Sequence, residues 1–255
     1  MIGTTWKRHH GLADPLLVKV MKRMGFDEPP LYEHNSPERR HFREHIRELK
    51  PYRDGPVNPD RTPPGDPAAM THAIKEKALE FGADMVGVTR LLPRFIDQGA
   101  ELDFPWVIAI GIHEDYGEVL KGPDAVGNEA QRAYYGCAVV ATSLGAHIRD
   151  LGYRALAHHN GGSEIQAIPT LYEAGFGELG KHGSLINPRY GASFRPSFIT
   201  TDIPLVSDQP QVFGVQDTCE NCNLCSNNCP GDAIPSDHIV TEGVKRWLTD
   251  VEKCY

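Results

Sequence analysis

The segment Asp217 to Pro230 reads Asp-Thr-Cys-Glu-Asn-Cys-Asn-Leu-Cys-Ser-Asn-Asn-Cys-Pro, which sets Cys219, Cys222, Cys225 and Cys229 at C-x2-C-x2-C-x3-C-Pro spacing. Such spacing lets three thiolates from one tight loop reach three irons of a cubane cluster, while Pro230 ends the loop and turns the fourth thiolate away. In two-cluster proteins that fourth thiolate ligates the other cubane. Zinc would call for two separated C-x2-C knuckles or a Cys/His set closing a tetrahedron, and no second knuckle follows the run. Disulfides are disfavoured too, because thiols two residues apart rarely meet disulfide geometry and no secretory signal precedes them.

Two cubanes held by four thiolates each need more than the six cysteines present. Cys137 lies far upstream in an apolar helical pattern and is expected to be a buried small hydrophobe. Cys254 lies in Val-Glu-Lys-Cys-Tyr. Either one cluster is held by Cys219, Cys222, Cys225 and Cys229, or the sequence stops before the remaining ligands of a second. The latter is expected, since Cys254-Tyr255 follow Lys245-Arg246-Trp247-Leu248 with no cap or polar tail.

A chain of 255 residues can bury a sizeable core, as one large domain or as a domain with a small appendage. Its net charge of −8 and pI near 5.8 argue against a nucleic-acid partner, which would want a basic face. No apolar run approaches the ~20 residues of a membrane span. Met1 to His10 lacks the apolar region of a signal peptide. Arg39-Arg40 is followed by His41-Phe42-Arg43-Glu44-His45, a solvated helix face rather than an export signal. A cytoplasmic location is therefore expected, and clustered free cysteines suit that reducing compartment.

Residues 1–66 read as an N-terminal arm or linker: a short amphipathic segment from Leu16 to Met24, a charged helical one from Pro37 to Leu49, then closely spaced prolines from Pro51 to Pro67 that no helix or central strand tolerates. The adjacent His9 and His10 point apart on most backbones and make a poor metal site. Residues 67–212 read as an α/β core. Ala73, Ile74, Lys77, Ala78 and Phe81 recur at helical spacing up to Gly82. Met85 to Val88 is a short strand, and Trp106 to Ile112 is a continuous apolar run, as in a sheet covered on both faces. Between Asn128 and Asp150, the residues Ala130, Ala133, Tyr134, Cys137, Val140, Ala141, Leu144 and Ile148 form one apolar helix face. Arg154 to Ala157 reads as a strand, His158 to Gly162 as a loop, and Pro169 as the first turn of a helix closed by Gly175. Alternating strands and helices argue an α/β sandwich. Residues 213–255 are the iron–sulfur segment, appended at the end.

Phe176 to Ile186 is a glycine-punctuated loop entering a strand, with room for close backbone approach to a bulky ligand and one lysine reaching inward. It is neither a Walker motif nor a dinucleotide fingerprint. Taken with the helix from Tyr134 to Tyr153, with Thr200-Thr201-Asp202-Ile203-Pro204-Leu205 and with the cysteine run, the order resembles the corrinoid- and iron–sulfur-dependent reductive dehalogenases, and beside them the epoxyqueuosine reductases. The resemblance covers about Ala69 to Tyr255.

It implies a nitroreductase-like α/β (α+β) core that holds a base-off cobalamin, with a C-terminal ferredoxin-like module for two [4Fe–4S] clusters. The corrin contacts would fall on Gly180, His182, Gly183 and Ser184. Cys219, Cys222 and Cys225 would hold one cluster, and Cys229 and Cys254 would begin the second. The catalytic tyrosine falls on Tyr134, with Tyr135 adjacent as the alternative. The basic partner falls on Lys181 and a substrate-facing asparagine on Asn160. A phenol with a pKa near 10 gives up its proton more readily if a close cation stabilises the phenolate, and Lys181 is expected to supply that charge. The implied reaction removes halide from a small organohalide, with electrons from a low-potential donor such as a ferredoxin, a flavodoxin or a reductase.

Each residue also has a plainer role: Tyr134 as core packing, Lys181 as a solvated loop residue, Asn160 as a turn former, and His158, His159 and His182 as hydrogen-bonding loop residues. Lys245 and Arg246 are weaker candidates for the substrate pocket. Epoxyqueuosine reduction in tRNA is the second function. It would call for an acidic proton donor on the helix of Tyr134 and a basic surface, yet Gln131 to Ser143 contains no Asp or Glu. A non-catalytic iron–sulfur or corrinoid electron carrier is the third.

Overall fold

The computed structural model describes residues 36–241 and 244–254. The segment Leu16 to Met24, the pair His9-His10 and Tyr255 lie outside these residues. Helices α1 (Pro37–Leu49) and α2 (Pro67–Glu80) precede strands β1 (Met85–Arg90) and β2 (Trp106–His113). The short helix α3 (Tyr116–Val119) leads into the long helix α4 (Pro123–Asp150), strand β3 (Ala155–His158) and helix α5 (Ala167–Glu173). A small hairpin, β4 (Glu178–Leu179) and β5 (Leu185–Ile186), is followed by β6 (Phe194–Thr201). The cysteine segment carries α6 (Val215–Asn221), α7 (Leu224–Asn227), the hairpin β7 (Ile239–Thr241) and β8 (Val244–Arg246), and α8 (Val251–Cys254).

The fold is mixed α/β. Its main sheet is antiparallel throughout, in the order β1-β2-β6-β3. The apolar run of β2 is covered on both faces, as its composition predicts. Ile108, Ile110 and Ile112 pack with Ile199 and with Ala133, Cys137, Val140, Ala141, Leu144 and Ile148 of α4. Val107 and Ala109 face the other way, toward Leu171, Phe176 and Phe198. Burying each Leu, Ile or Val here contributes roughly 1.5–3 kcal/mol.

Helix α4 begins five residues before the point its apolar face predicts, because Gly122 at φ +112 and Pro123 start it cleanly without a side-chain cap. Gly136 lets α4 lie close on β2. A Cβ there would come 2.7 Å from Cδ1 of Ile112.

Strand β6 is the element that sequence reading misses, since Pro196 argues against a central strand. Pairing with β3 covers only Phe198 to Thr201, so at Pro196, opposite Gly111, β6 is already an edge. The missing N–H costs no ladder bond on the β3 side.

The proline-spaced segment after Leu49 is extended beyond one 3-10 turn, Lys50–Arg53, but it lies on the core. Amides of Asn58 and Thr62 donate to the carbonyls of Arg149 and Leu151, each at 2.9 Å. The Tyr153 hydroxyl donates to the carbonyl of Thr62 at 2.9 Å. Helix α1 is capped by Ser36, buries Ile46 and is tied to α4 by Arg39, whose Nε donates to Asn128 at 3.0 Å. None of the described helices is long and apolar enough to cross a membrane.

Candidate active site

The period of two along a strand decides which side chains meet α4. On β2 the α4 face carries Ile108, Ile110 and Ile112, and Glu114 continues it past the strand end. On β6 it carries Ile199, Ser197 and Arg195. Ser197 donates to the carbonyl of Cys137 at 3.0 Å, and the Cys137 thiol donates to the carbonyl of Arg195 at 3.0 Å. Tyr134 lies one helical turn before Cys137, so it arrives over Arg195. The guanidinium carbon stands 5.1 Å from the centre of the Tyr134 ring.

Glu114 holds that guanidinium in place. It accepts from Nε of Arg195 at 2.8 Å and from the Ser193 hydroxyl at 3.2 Å. Its own amide donates to the carbonyl of Ser193 at 3.0 Å. Burial works to lower the pKa of Arg195, but the Tyr134 oxygen and the Glu114 carboxylate outweigh it and hold the guanidinium above its ordinary value. The neighbouring loop is clamped from α4: Glu129 accepts from the Asp115 amide at 2.6 Å, and Arg132 donates to the carbonyl of His113 at 2.7 Å. His113 itself stacks on Tyr190 at 5.0 Å and contacts Asp84 through Nδ1 at 2.8 Å.

Of the two adjacent tyrosines, Tyr134 is half-buried beside Arg195, whereas Tyr135 packs against Phe42 and His45 of α1, 5.9 and 5.7 Å between ring centres. Tyr135 lines a cleft of about 530 Å³ with His45, Glu48, Leu49, Pro51 and Tyr52. Asn160 is exposed in the turn that joins His159 to Gly162. Beside it, His158 is fully buried, bonded to Glu164 at 2.6 Å and Thr200 at 3.0 Å.

The cation facing the Tyr134 ring is Arg195, whereas Lys181, expected as the basic partner, makes its contacts at Asn223 and Trp247. Lys181 is not a solvated loop residue either, being only 1% exposed. Its ammonium donates to Oδ1 of Asn223 at 2.8 Å and stands 5.3 Å from the Trp247 ring centre. Arg195 escaped sequence reading because Pro196 beside it masks the strand whose alternation aims it at α4.

The glycine-rich stretch forms the β4–β5 hairpin, and its glycines serve that hairpin. A Cβ on Gly177 would come 2.1 Å from the carbonyl of Ile186. The Gly180 amide donates to the carbonyl of Ser184 at 2.8 Å, and the Ser184 amide donates to Nδ1 of His182 at 3.1 Å. Gly183 turns the chain at φ +82, and the His182 ring fills the space beside Gly180. Burial pushes the His182 imidazole down from its usual value.

This hairpin docks the cysteine segment. Glu178, 3% exposed, accepts from the amides of Phe213 at 2.7 Å and Val215 at 2.9 Å, at the start of α6. Gln216 donates to the carbonyl of Leu179. Cys219 lies on α6, Cys222 at its end, Cys225 on α7 and Cys229 just after it. All four are half-exposed and free of disulfides, and Cys254 on α8 is exposed.

Backbone N–H groups around Cys229, first those of Ala233 and Gly231, lower its pKa. Such a nest stabilises a thiolate, the form a metal cluster binds. Helix α8 packs on the same loop: a Cβ on Gly231 would meet the Lys253 carbonyl at 2.4 Å, and the Asp250 amide donates to the carbonyl of Ala233 at 2.8 Å. Cys229 and Cys254 therefore sit on touching segments. Among the described residues, no three His, Cys, Asp or Glu side chains converge on a single-ion site. Cys137 is fully buried, and burial pushes its thiol up to about 12. Arg246 is buried as well, and the side chain of Lys245 lies outside what the structure describes.

No family model matches the chain. It is 29% identical over 248 residues to the tetrachloroethene reductive dehalogenase of Sulfurospirillum multivorans, a match covering 78% of this chain and 49% of that protein. A solved reductive dehalogenase, described as suggesting a mechanism for B12-dependent dehalogenation, is 30% identical with a TM-score of 0.76. That match covers 84% of this chain and 33% of the other. An epoxyqueuosine reductase of Synechococcus sp. (strain CC9605) is more distant, 25% identical over 214 residues, covering 67% of this chain and 63% of that protein. The chain thus spans half or less of the length of the dehalogenases it resembles.

Proposed function

We propose that this chain carries the reaction centre of a reductive dehalogenase, removing halide from a small organohalide. The observation that carries this reading is the half-buried contact of Tyr134 with Arg195, itself held by Glu114, in a chain similar to reductive dehalogenases. The overall reaction takes two electrons and one proton: the carbon–halogen bond breaks, halide leaves and a carbon–hydrogen bond forms. Tyr134 donates its phenolic proton to the carbon that has lost the halide. Arg195 stabilises the phenolate left behind, and Glu114 keeps the guanidinium turned toward the ring. Asn160 would contact the substrate from the β3–α5 turn.

A corrinoid, when bound, supplies the low-valent metal that breaks the carbon–halogen bond, and Gly180, His182, Gly183 and Ser184 would contribute to holding it. The thiolate nest at Cys229 and the free, half-exposed Cys219, Cys222 and Cys225 suit iron–sulfur ligation. Cys219, Cys222 and Cys225 would hold one cluster, and the touching segments of Cys229 and Cys254 would share another. The electrons would come from a low-potential ferredoxin, flavodoxin or reductase.

Anaerobic EPR after reconstitution with cobalamin, iron and sulfide tests the reading. A base-off Co(II) signal that changes on adding a bromophenol or a chloroethene is the expected result. Cluster signals without bound cobalt would leave an iron–sulfur electron carrier instead. The lack of an acidic residue between Gln131 and Ser143 sets this chain apart from the tRNA reaction expected of an epoxyqueuosine reductase.

A further inference from the structure

Lys181 is among the largest fully buried side chains of the described residues, and among those residues it contacts no carboxylate that would neutralise it. Burying an ammonium without a counter-ion is costly, and a hydrogen bond to an amide with one aromatic face offsets only part of that cost. Its partner Asn223 lies between Cys222 and Leu224, inside the cysteine run. Asn223 occupies the N-cap of α7, where an asparagine ordinarily bonds the helix's own amides. Here its side chain makes no capping bond and its oxygen accepts from Lys181 instead.

We propose that Lys181 is the counter-charge of the iron–sulfur cluster bound by the cysteine run, fixing the Cys222–Cys225 loop and raising the cluster's reduction potential. The inference rests on the iron–sulfur part of the function proposed above. A cubane held by thiolates is an anion, and taking up one electron makes it more negative. A fixed, buried cation beside the loop stabilises the reduced form more than the oxidised one, so the potential rises. Lys181 is thus a positioning and tuning residue, not a catalytic one. Three near-consecutive hairpin residues divide the docking: Glu178 holds the start of α6, Leu179 holds Gln216, and Lys181 holds the loop itself.

The test is a dithionite potentiometric titration, read by EPR, of the chain reconstituted with iron and sulfide. It compares wild type with Lys181→Met, Lys181→Arg and Asn223→Ala. In Lys181→Met the ratio of reduced to oxidised cluster at a fixed potential is expected to fall at least about tenfold, equivalent to 59 mV for a one-electron couple. Lys181→Arg keeps the charge and stays within about threefold of wild type. Asn223→Ala shifts in the same direction as Lys181→Met, by less.

A Lys181→Met protein that titrates with wild type overturns the proposal. Should Lys181→Met fail to take up iron while Lys181→Arg succeeds, the charge is needed to hold the anionic cluster and the proposal stands. Failure of both to take up iron assigns the residue to packing and overturns it. The titration contains no cobalamin and no organohalide. An unchanged potential therefore removes the role of Lys181 without touching the dehalogenase reading, and a shifted potential in a chain that binds no cobalamin does the reverse.

Discussion

Arg195 and Tyr134 meet across the α4–β6 interface with 5.1 Å between guanidinium carbon and ring centre, although 61 residues separate them. Neither residue is placed by a loop. One stands on helix α4 and the other on strand β6 of the main sheet, a rigid mounting for both.

Tyr134→Phe is expected to lower halide release by about 10²- to 10⁴-fold while leaving iron content and melting temperature unchanged. Tyr135→Phe, altering a residue packed on α1, stays within about threefold. Halide release from a bromophenol under a chemical reductant measures both. Equal losses in the two variants would remove Tyr134 from its role.

Glu114→Ala leaves the half-buried Arg195 without its carboxylate. We expect a loss of about 1.5–3 kcal/mol in stability, read as a lower urea midpoint at unchanged slope. Halide release should fall as well, because the guanidinium is no longer fixed toward Tyr134. Arg195→Lys should retain more activity than Arg195→Leu.

Acid should weaken the fold in a defined window. Burial, and then the nearby Arg53 charge, lower the His159 pKa from 6.5 to about 4. The folded state therefore binds fewer protons than the unfolded one between those values. Stability is fully present above pH 6.5 and is lost as pH falls toward 4, on the order of 3 kcal/mol. Urea midpoints measured at pH 7 and pH 4.5 should differ, and His159→Asn should shrink the difference. An equal pH dependence in that variant would place the effect elsewhere.

Cysteine substitutions should separate into two groups. Cys222→Ala abolishes or halves the iron bound after reconstitution. Cys137→Ala leaves it unchanged, since the Cys137 thiol is buried in the α4–sheet core and held at about 12. Iron and sulfide analysis decides.

Periodicity alone located α4, β2 and the end of α2 at Gly82, because a buried face repeats every turn or every second residue whatever it packs against. The four-cysteine run was equally legible, since its spacing is a local property of one loop. The proline-spaced stretch was read as extended, and beyond the 3-10 turn Lys50–Arg53 it is. That it lies on the core was not legible, since the bonds of Asn58 and Thr62 go to carbonyls of Arg149 and Leu151, roughly 90 residues away.

The site shows the same division more sharply. Tyr134 was a candidate through the family resemblance, and the four-cysteine run through its local spacing. Which cation faces Tyr134 was decided only in three dimensions. Lys181 and Arg195 look alike in sequence, each a single base near a turn, and the nearer motif favoured Lys181. Antiparallel pairing opposes Ile112 to Arg195, strand alternation turns Arg195 toward α4, and the hairpin aims Lys181 at Asn223 instead. A side chain's partner across a sheet depends on register and face, and these are settled by how the whole core packs.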